Sequence, residues 1–503
     1  SHAPGRVPPH GRAPLKHFRQ RSTGVFRDGT TYGDPENHVA LKLCAIAGVA
    51  LLCVAWGFAV VIAEWNALTV GLALFACVLI VLDFRIGVVL LIMLMPISLS
   101  TIWPHEIGGV TGLNPVNLLL AGTLGSFLLH VLLHKSIARA IPRPLLWLYI
   151  VPFLIAGALG CRHTGQIALY FVITEYVKFN DVFGYLRDMV AKPLLLVAFA
   201  LLIAAAVARM QRPEKLLGPL VLSVWIMSLM AVAYFVLSGA NLGQLASNQE
   251  REFLSPLGLH ANELGRMYAI AYALLLFTWA ETKDYGVKLI LLASTGLVVV
   301  ALVLTFSRSG FVGVVFATVW FLISRRQIGS LLVGTTVVAA ALYFLPDAIY
   351  VRATYGFGMG VNAISAGRVN GIWIPLVPDL LRSPLYGNGV GAMLWSDAVR
   401  SGRSLLVTHP HNAYLRTILD MGVIGLVLVS AYFFHVWKGF KALSTSADLS
   451  SSMRGFYQGA ATALLAFLTM AFADGSLTPA PEQAFLWLAI GMMYGERARR
   501  VAS

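Results

Sequence analysis

The feature that most constrains this chain is the recurrence, from Leu41 to Tyr494, of apolar runs about 20 residues long. A helix of that length rises about 30 Å, the hydrocarbon thickness of a bilayer. Inside hydrocarbon every backbone N–H and C=O must be satisfied within the protein, so such runs fold as helices. Of 503 residues, 58% are hydrophobic and only 12% charged, too little charge to cover a water-soluble domain of this size. The expected fold is therefore an all-α polytopic membrane protein of about 12–14 transmembrane helices. Spans are expected near 41–63, 66–82, 86–102, 115–133, 145–161, 190–208, 216–238, 263–280, 287–305, 309–323, 328–345, 413–437, 455–473 and 483–495.

Charge gives a direction. The net charge of +14 is spread over short inter-helix loops through residues such as Lys135, Arg139, Arg143, Arg209, Arg212, Lys215, Arg325, Arg326, Arg497, Arg499 and Arg500. With the N-terminus in the cytoplasm these loops fall on the cytoplasmic side, as insertion favours. No basic face with interleaved aromatics appears, so nucleic acid is not an expected partner. Residues 1–40 are rich in Pro, Gly and Arg and read as a disordered basic cytoplasmic tail. Residues 41–345 form a transmembrane bundle, 346–411 a large outer loop, and 412–503 the last helices with a short cytoplasmic tail. In the outer loop, Ile372-Trp373-Ile374 and Leu380-Leu381 have the spacing of a surface-lying amphipathic helix.

Four polar clusters fall on the outer face of this topology: Gly258 to Arg266, Thr305 to Gly310, Ser383 to Gly391, and Thr408 to Leu415. Arg308 lies in a tight outer hairpin between two apolar spans; it either snorkels to lipid phosphate or contacts a substrate anion. Arg266 at the head of a span has the same two readings, and Arg187 beside Asp188 has an ion pair as its alternative. His411 stands at the outer end of a span, where a histidine serves as a cap or, near neutral pKa, as an acid or base. His409 and His411 are an i, i+2 pair with no carboxylate nearby in sequence, a weak ligand set, so no metal is expected. Gly387 to Gly391 lacks the strand-turn-helix setting of a dinucleotide site, and no cofactor is expected.

The string His411-Asn412, followed by Gly422 and Gly425, resembles the signature of the O-antigen ligase and Wzy-type O-antigen polymerase superfamily (Wzy_C-like), which includes bacterial O-oligosaccharyltransferases. Phe306 to Gly310, Gly367-Arg368 to Trp373, Pro384 to Gly389 and Gly258 to Asn262 extend the resemblance over about 260 to 430. It implies a GT-C-like fold in the bacterial inner membrane, with a large periplasmic loop and a periplasmic active site. The implied activity is metal-independent, inverting transfer of a glycan from undecaprenyl diphosphate to an acceptor hydroxyl. The implied partners are that lipid-linked donor, a lipid A-core or glycan acceptor, and membrane lipids.

Carried onto this sequence, the resemblance implies His411 as base and Arg308, Arg266 and Arg187 as diphosphate contacts. Asn412, Arg368, His409 and His260 are the expected acceptor or glycan contacts. Ligase, polymerase and oligosaccharyltransferase share this donor chemistry and remain open. A transporter or flippase of lipid-linked glycan is the alternative from another class, and it predicts mid-membrane charge and two related halves.

Overall fold

In a computed structural model the described residues are 68–107, 110–111, 114–133, 141–240, 249–325 and 356–502, with isolated positions 54, 57 and 354. The expected tail 1–40, the expected spans 41–63 and 328–345, and the start of the outer loop lie outside them. All described residues from Trp65 onward belong to one compact unit.

The chain is an all-α polytopic membrane protein. In order, its main helices are α1 (Leu68–Leu82), α2 (Phe84–Ile97), α3 (Pro115–Leu133), α4 (Arg143–Gln166), α5 (Val182–Ala208), α6 (Pro213–Ser238), α7 (Ala261–Glu281), α8 (Tyr285–Thr305), α9 (Arg308–Arg325), α10 (Ile374–Arg382), α11 (Ala413–Ser444), α12 (Ser451–Met470) and α13 (Ala484–Ala502). Among the described residues seven of these, α3, α4, α5, α6, α8, α9 and α11, are long and apolar enough to cross a membrane. The only strand pairing among the described residues is Glu106–Ile107 against Val110–Thr111.

The more polar α7, α12 and α13 lie inward. Helix α7 is buried along almost its whole length, so neighbouring protein rather than lipid satisfies its charges. Close approach replaces the hydrophobic effect as the packing force here. Gly455 and Gly459, four residues apart on α12, lie so near α7 that a Cβ would stand 2.5 Å from Phe277 O and 2.7 Å from Ala273 O. Gly491 and Gly495 of α13 meet α5 in the same way, at 2.4 Å from Ala200 O and 2.5 Å from Ala204 O.

Two departures from the expected spans have local causes. Helix α5 starts earlier than the expected 190, at Val182, where the Asp181 carboxylate accepts from Gly184 N; a wide π turn at Leu186–Ala191 carries the run on. Helix α11 is broken at Gly422, whose φ of 67° and ψ of −176° no other residue adopts readily. The Ser383 to Gly389 segment fills that break: Val423 N donates to Pro384 O at 2.8 Å and Ile424 N to Leu385 O at 3.2 Å. In return Asn388 N donates to Leu419 O at 2.8 Å and Gly389 N to Asp420 O at 3.0 Å. The Ser383 to Gly389 segment is thereby stitched to the helix that His411 precedes.

Candidate active site

The site is built where the loop before α11 meets the loop between α12 and α13. Ala413 N donates to Ala471 O at 2.9 Å, and Tyr414 Oη to Leu468 O at 2.7 Å. Ahead of α10, Trp373 Nε1 donates to Pro410 O at 2.8 Å. These bonds fix His409 and His411 against Asp474.

His411 Nδ1 lies 3.1 Å from Asp474 Oδ1, and His409 Nε2 lies 3.4 Å from the same oxygen, which also accepts from Gly475 N at 2.9 Å. The other carboxylate oxygen meets Arg266 Nη1 at 3.2 Å, and Arg266 Nη2 reaches Glu482 at 3.3 Å. Arg266 is 2% exposed, a depth at which a guanidinium persists only when paired. Burial by itself would raise the Asp474 carboxyl, but hydrogen bonds from His409 and His411 and the Arg266 charge outweigh it and hold it well below the usual carboxylate range. An ionised carboxylate only accepts, so the tautomer of His411 consistent with this contact carries its proton on Nδ1 and leaves the Nε2 lone pair available. His411 adopts a left-handed backbone at φ 52°, a conformation that costs a non-glycine residue about 1 kcal/mol or more.

His409 packs on His411 with ring centroids 4.3 Å apart. Burial, aided by the charges of Arg416 and His411, pushes its pKa down to about 4 despite the Asp474 contact.

The remaining cations approach the same loop. Arg368 Nη1 donates to Ala473 O, one residue before Asp474. Its pKa is lowered, chiefly by burial, with the charges of Arg308 and Arg266 adding to the effect and Asp474 opposing it. Arg308 opens α9, just after a turn in which Phe306 is left-handed (φ 49°) and Gly310 N donates to Ser307 Oγ at 3.2 Å. That turn lies directly on Gly265, where a Cβ would stand 2.3 Å from Ser307 Cβ, so Arg266 and Arg308 leave adjacent stretches of backbone.

Four sequence candidates, His411, His409, Arg266 and Arg368, thus meet Asp474 or the residue before it, and the charge of Arg308 is felt at Arg368. The other three sit elsewhere or are engaged in local structure. Arg187 pairs with Asp188 at 3.0 Å, which Lys192 also meets at 2.6 Å. Asn412 caps α11, its side-chain oxygen accepting from Leu415 N at 3.0 Å. His260 caps α7 through Nδ1, while Glu263 accepts from His260 N at 2.9 Å.

Sequence reasoning missed Asp474 and Glu482. The signal was present: two acidic residues in the short connection between the last two apolar spans, on the outer face of the expected topology. The premise that the histidine pair has no carboxylate nearby is corrected by the fold, which brings Asp474 to it across 63 residues. One ligand atom each of His409, His411 and Asp474 lie within 4.8 Å of one another.

No curated protein matches the chain. Residues 293–430 match the Wzy_C family model, described as O-Antigen ligase. That interval holds Arg308, Arg368, His409, His411 and the broken first turns of α11, while Arg266 and Asp474 join the site from outside it. Over residues 293–430, a little over a quarter of its length, the chain is similar to the Wzy_C family of O-antigen ligases.

Proposed function

We propose that the protein is an inverting glycosyltransferase that moves a glycan from undecaprenyl diphosphate to an acceptor hydroxyl on the periplasmic face of the inner membrane. The observation that carries this reading is the His411–Asp474 contact at 3.1 Å, with Asp474 anchored on its far side by buried Arg266.

In the proposed step His411 Nε2 takes the proton of the acceptor hydroxyl as its oxygen attacks the anomeric carbon. The new glycosidic C–O bond forms as the bond from that carbon to the phosphate oxygen breaks, and single displacement inverts the configuration. The electron pair leaves on the lipid diphosphate, whose negative charge Arg308 and Arg368 receive; guanidinium is always charged and binds phosphate oxygens bidentately. Asp474 holds the imidazole in orientation and stabilises the imidazolium. Buried Arg266, with its charge matched by Asp474 and Glu482, orders the carboxylate. Arg187, held in an ion pair with Asp188 near the start of α5, is the least direct of the donor contacts.

The three clustered ligand atoms of His409, His411 and Asp474 favour a second reading, a bound dication. Against it, Asp474 already neutralises Arg266, and Arg368 is hydrogen-bonded next to it; a dication would add repulsion from both. The test for the two readings is transfer by purified protein from a lipid-diphosphate glycan before and after EDTA. The base reading expects full activity with chelator, and abolition that zinc or magnesium restores would establish the metal.

A further inference from the structure

A polar cavity with none of the clustered arginines and histidines in its lining lies beside the first turns of α11. It is about 90 Å³ in volume, several times what one water requires. Its walls come from three separate stretches: His163 and Gln166 at the end of α4, Arg382 at the end of α10, and Asp397 and Arg400 in the one-turn helix Asp397–Arg400. Leu419 of α11 also lines it.

The cavity is built rather than accidental. Asp379 is 2% exposed, and its two carboxylate oxygens accept from Asp397 N and Ala398 N, both at 3.0 Å. Asn388 donates from Nδ2 to Asp379 O at 3.1 Å and receives Trp395 Nε1 on its own carbonyl at 3.2 Å. Arg382 pairs with Asp397 and lies 3.5 Å from Asp379, while Arg400 lies 3.9 Å from Asp397. Charge in the cavity therefore sums to zero, with two guanidinium groups against two carboxylates, which favours neither an isolated phosphate nor a cation.

The surface offered to a ligand is planar and polar. The His163 ring stacks on the Trp395 indole, centroids 5.5 Å apart and planes 16° from parallel. Around it stand an amide, two guanidinium groups and a carboxylate whose side chains remain 43% to 54% exposed at the mouth for Asp397, Arg400 and Arg382. Flat groups with paired donors and acceptors match vicinal hydroxyls, and the His163 ring held flat by Trp395 adds an apolar edge to the lining.

Position completes the argument. Leu419 is seven residues beyond Asn412 on α11, about 10 Å of helix rise, which a disaccharide spans. Arg416 lies one turn before Leu419 on the same face, 3.7 Å from Asp420, and its charge is felt at His409. Arg416 thus stands on α11 between the cavity wall at Leu419 and the His409–His411 pair.

We propose that the cavity walled by His163, Arg382, Asp397 and Arg400 is a saccharide subsite that holds a neutral, hydroxyl-rich unit of the glycan whose reacting end lies at His411. The proposal rests on the transferase reading, and it names sugar rather than phosphate as what the outer loop recognises. Either substrate glycan can supply that unit, and the test separates the two sources.

The experiment measures binding to the full-length protein in nanodiscs by saturation-transfer NMR. The probes are the core oligosaccharide and the O-chain, each released from the host's lipopolysaccharide by mild acid, with inorganic phosphate as the anionic control. Wild type is compared with His163→Ala, Arg400→Ala and His411→Ala, all checked for an unchanged thermal melt. One of the two saccharides binds wild type and His411→Ala alike, and binds each cavity variant about tenfold more weakly, the effect of one lost hydrogen bond. In transfer the cavity variants raise KM for the substrate that carries this saccharide and leave kcat near wild type. Equal binding by wild type and both cavity variants overturns the proposal, as does binding of neither saccharide or displacement of the saccharide by phosphate. Full transfer activity in His411→Ala would instead sink the catalytic reading and leave the binding result standing by itself.

Discussion

Asp474 holds His411 by one carboxylate oxygen, at 3.1 Å, and Arg266 by the other, at 3.2 Å. One short loop thereby links the ionised form of a buried carboxylate to the orientation of the imidazole. Asp474→Asn keeps the size of the side chain but removes the charge and permits the wrong tautomer. The expected loss in kcat is on the order of 10²- to 10⁴-fold, the range of a misoriented general base. Initial rates of glycan transfer check it, and a variant within twofold of wild type would remove Asp474 from the mechanism.

Arg266 carries structural weight because its two partners are themselves buried, Asp474 at 7% and Glu482 at 2% exposed. Arg266→Ala strands both carboxylates, a change that costs about 3–5 kcal/mol. A strongly lowered melting temperature in detergent is the expected outcome. Arg266→Lys keeps the charge without the two-pronged geometry, so it folds better than the alanine variant and transfers more slowly than wild type.

Arg308 and Arg368 behave differently. Each is half-buried at the site, and the account gives them to the leaving diphosphate. Alanine at either position lowers kcat by about 10²- to 10³-fold with a smaller change in melting temperature than Arg266→Ala. Steady-state kinetics with melts on the same preparations separate the two patterns; equal destabilisation by all three variants would contradict the assignment.

The pH dependence of stability has a definite sign. With a pKa of about 4, His409 is neutral in the folded protein, whereas in the unfolded chain it takes up a proton below about 6.5. The unfolded state then binds more protons, so stability falls as pH drops from about 6.5 toward 4. Asp474, held below the usual carboxylate range, contributes stability that is present above about 4 and is lost only under stronger acid. Thermal melts at pH 7 and 5 check this: His409→Gln flattens the difference between them, and an undiminished difference in that variant would assign it elsewhere.

Gly422→Ala tests the stitched break in α11. A Cβ there would lie 2.2 Å from the Leu385 carbonyl carbon, on a backbone with φ of 67°, so the variant loses about 1–3 kcal/mol from strain alone and disturbs the segment that carries Asn388. Gly296→Ala in α8, with nothing within 4 Å of the new methyl, is neutral or stabilising by up to about 1 kcal/mol. Reversed melting shifts for the pair would refute the packing described for Gly422.

Much of this was legible in the sequence because membrane spans are written in contiguous residues. The apolar runs that became α3, α6, α8 and α9 stand close to their expected limits; Arg266, Arg308 and His411 were marked by their place at the ends of such runs, whereas Arg368 was reached only through the family resemblance. What periodicity does not encode is which outer loops meet. Glu482 reaches Arg266 across 216 residues, and only the packing of α7 against α12 and α13 makes them neighbours. The break at Gly422 was equally hidden, because the apolar pattern continues through it while φ does not. Asn412 carries a second signal that went unread: an Asn directly before an apolar helix is a capping residue, and the fold uses its side-chain oxygen in that way.

The most direct measurement is transfer of the glycan from undecaprenyl diphosphate by His411→Ala, with and without added imidazole. The account predicts a loss of about 10²- to 10⁴-fold that imidazole partly restores, since the pocket beside Asp474 then accepts a free base. A His411→Ala protein that transfers at the wild-type rate without imidazole would contradict it.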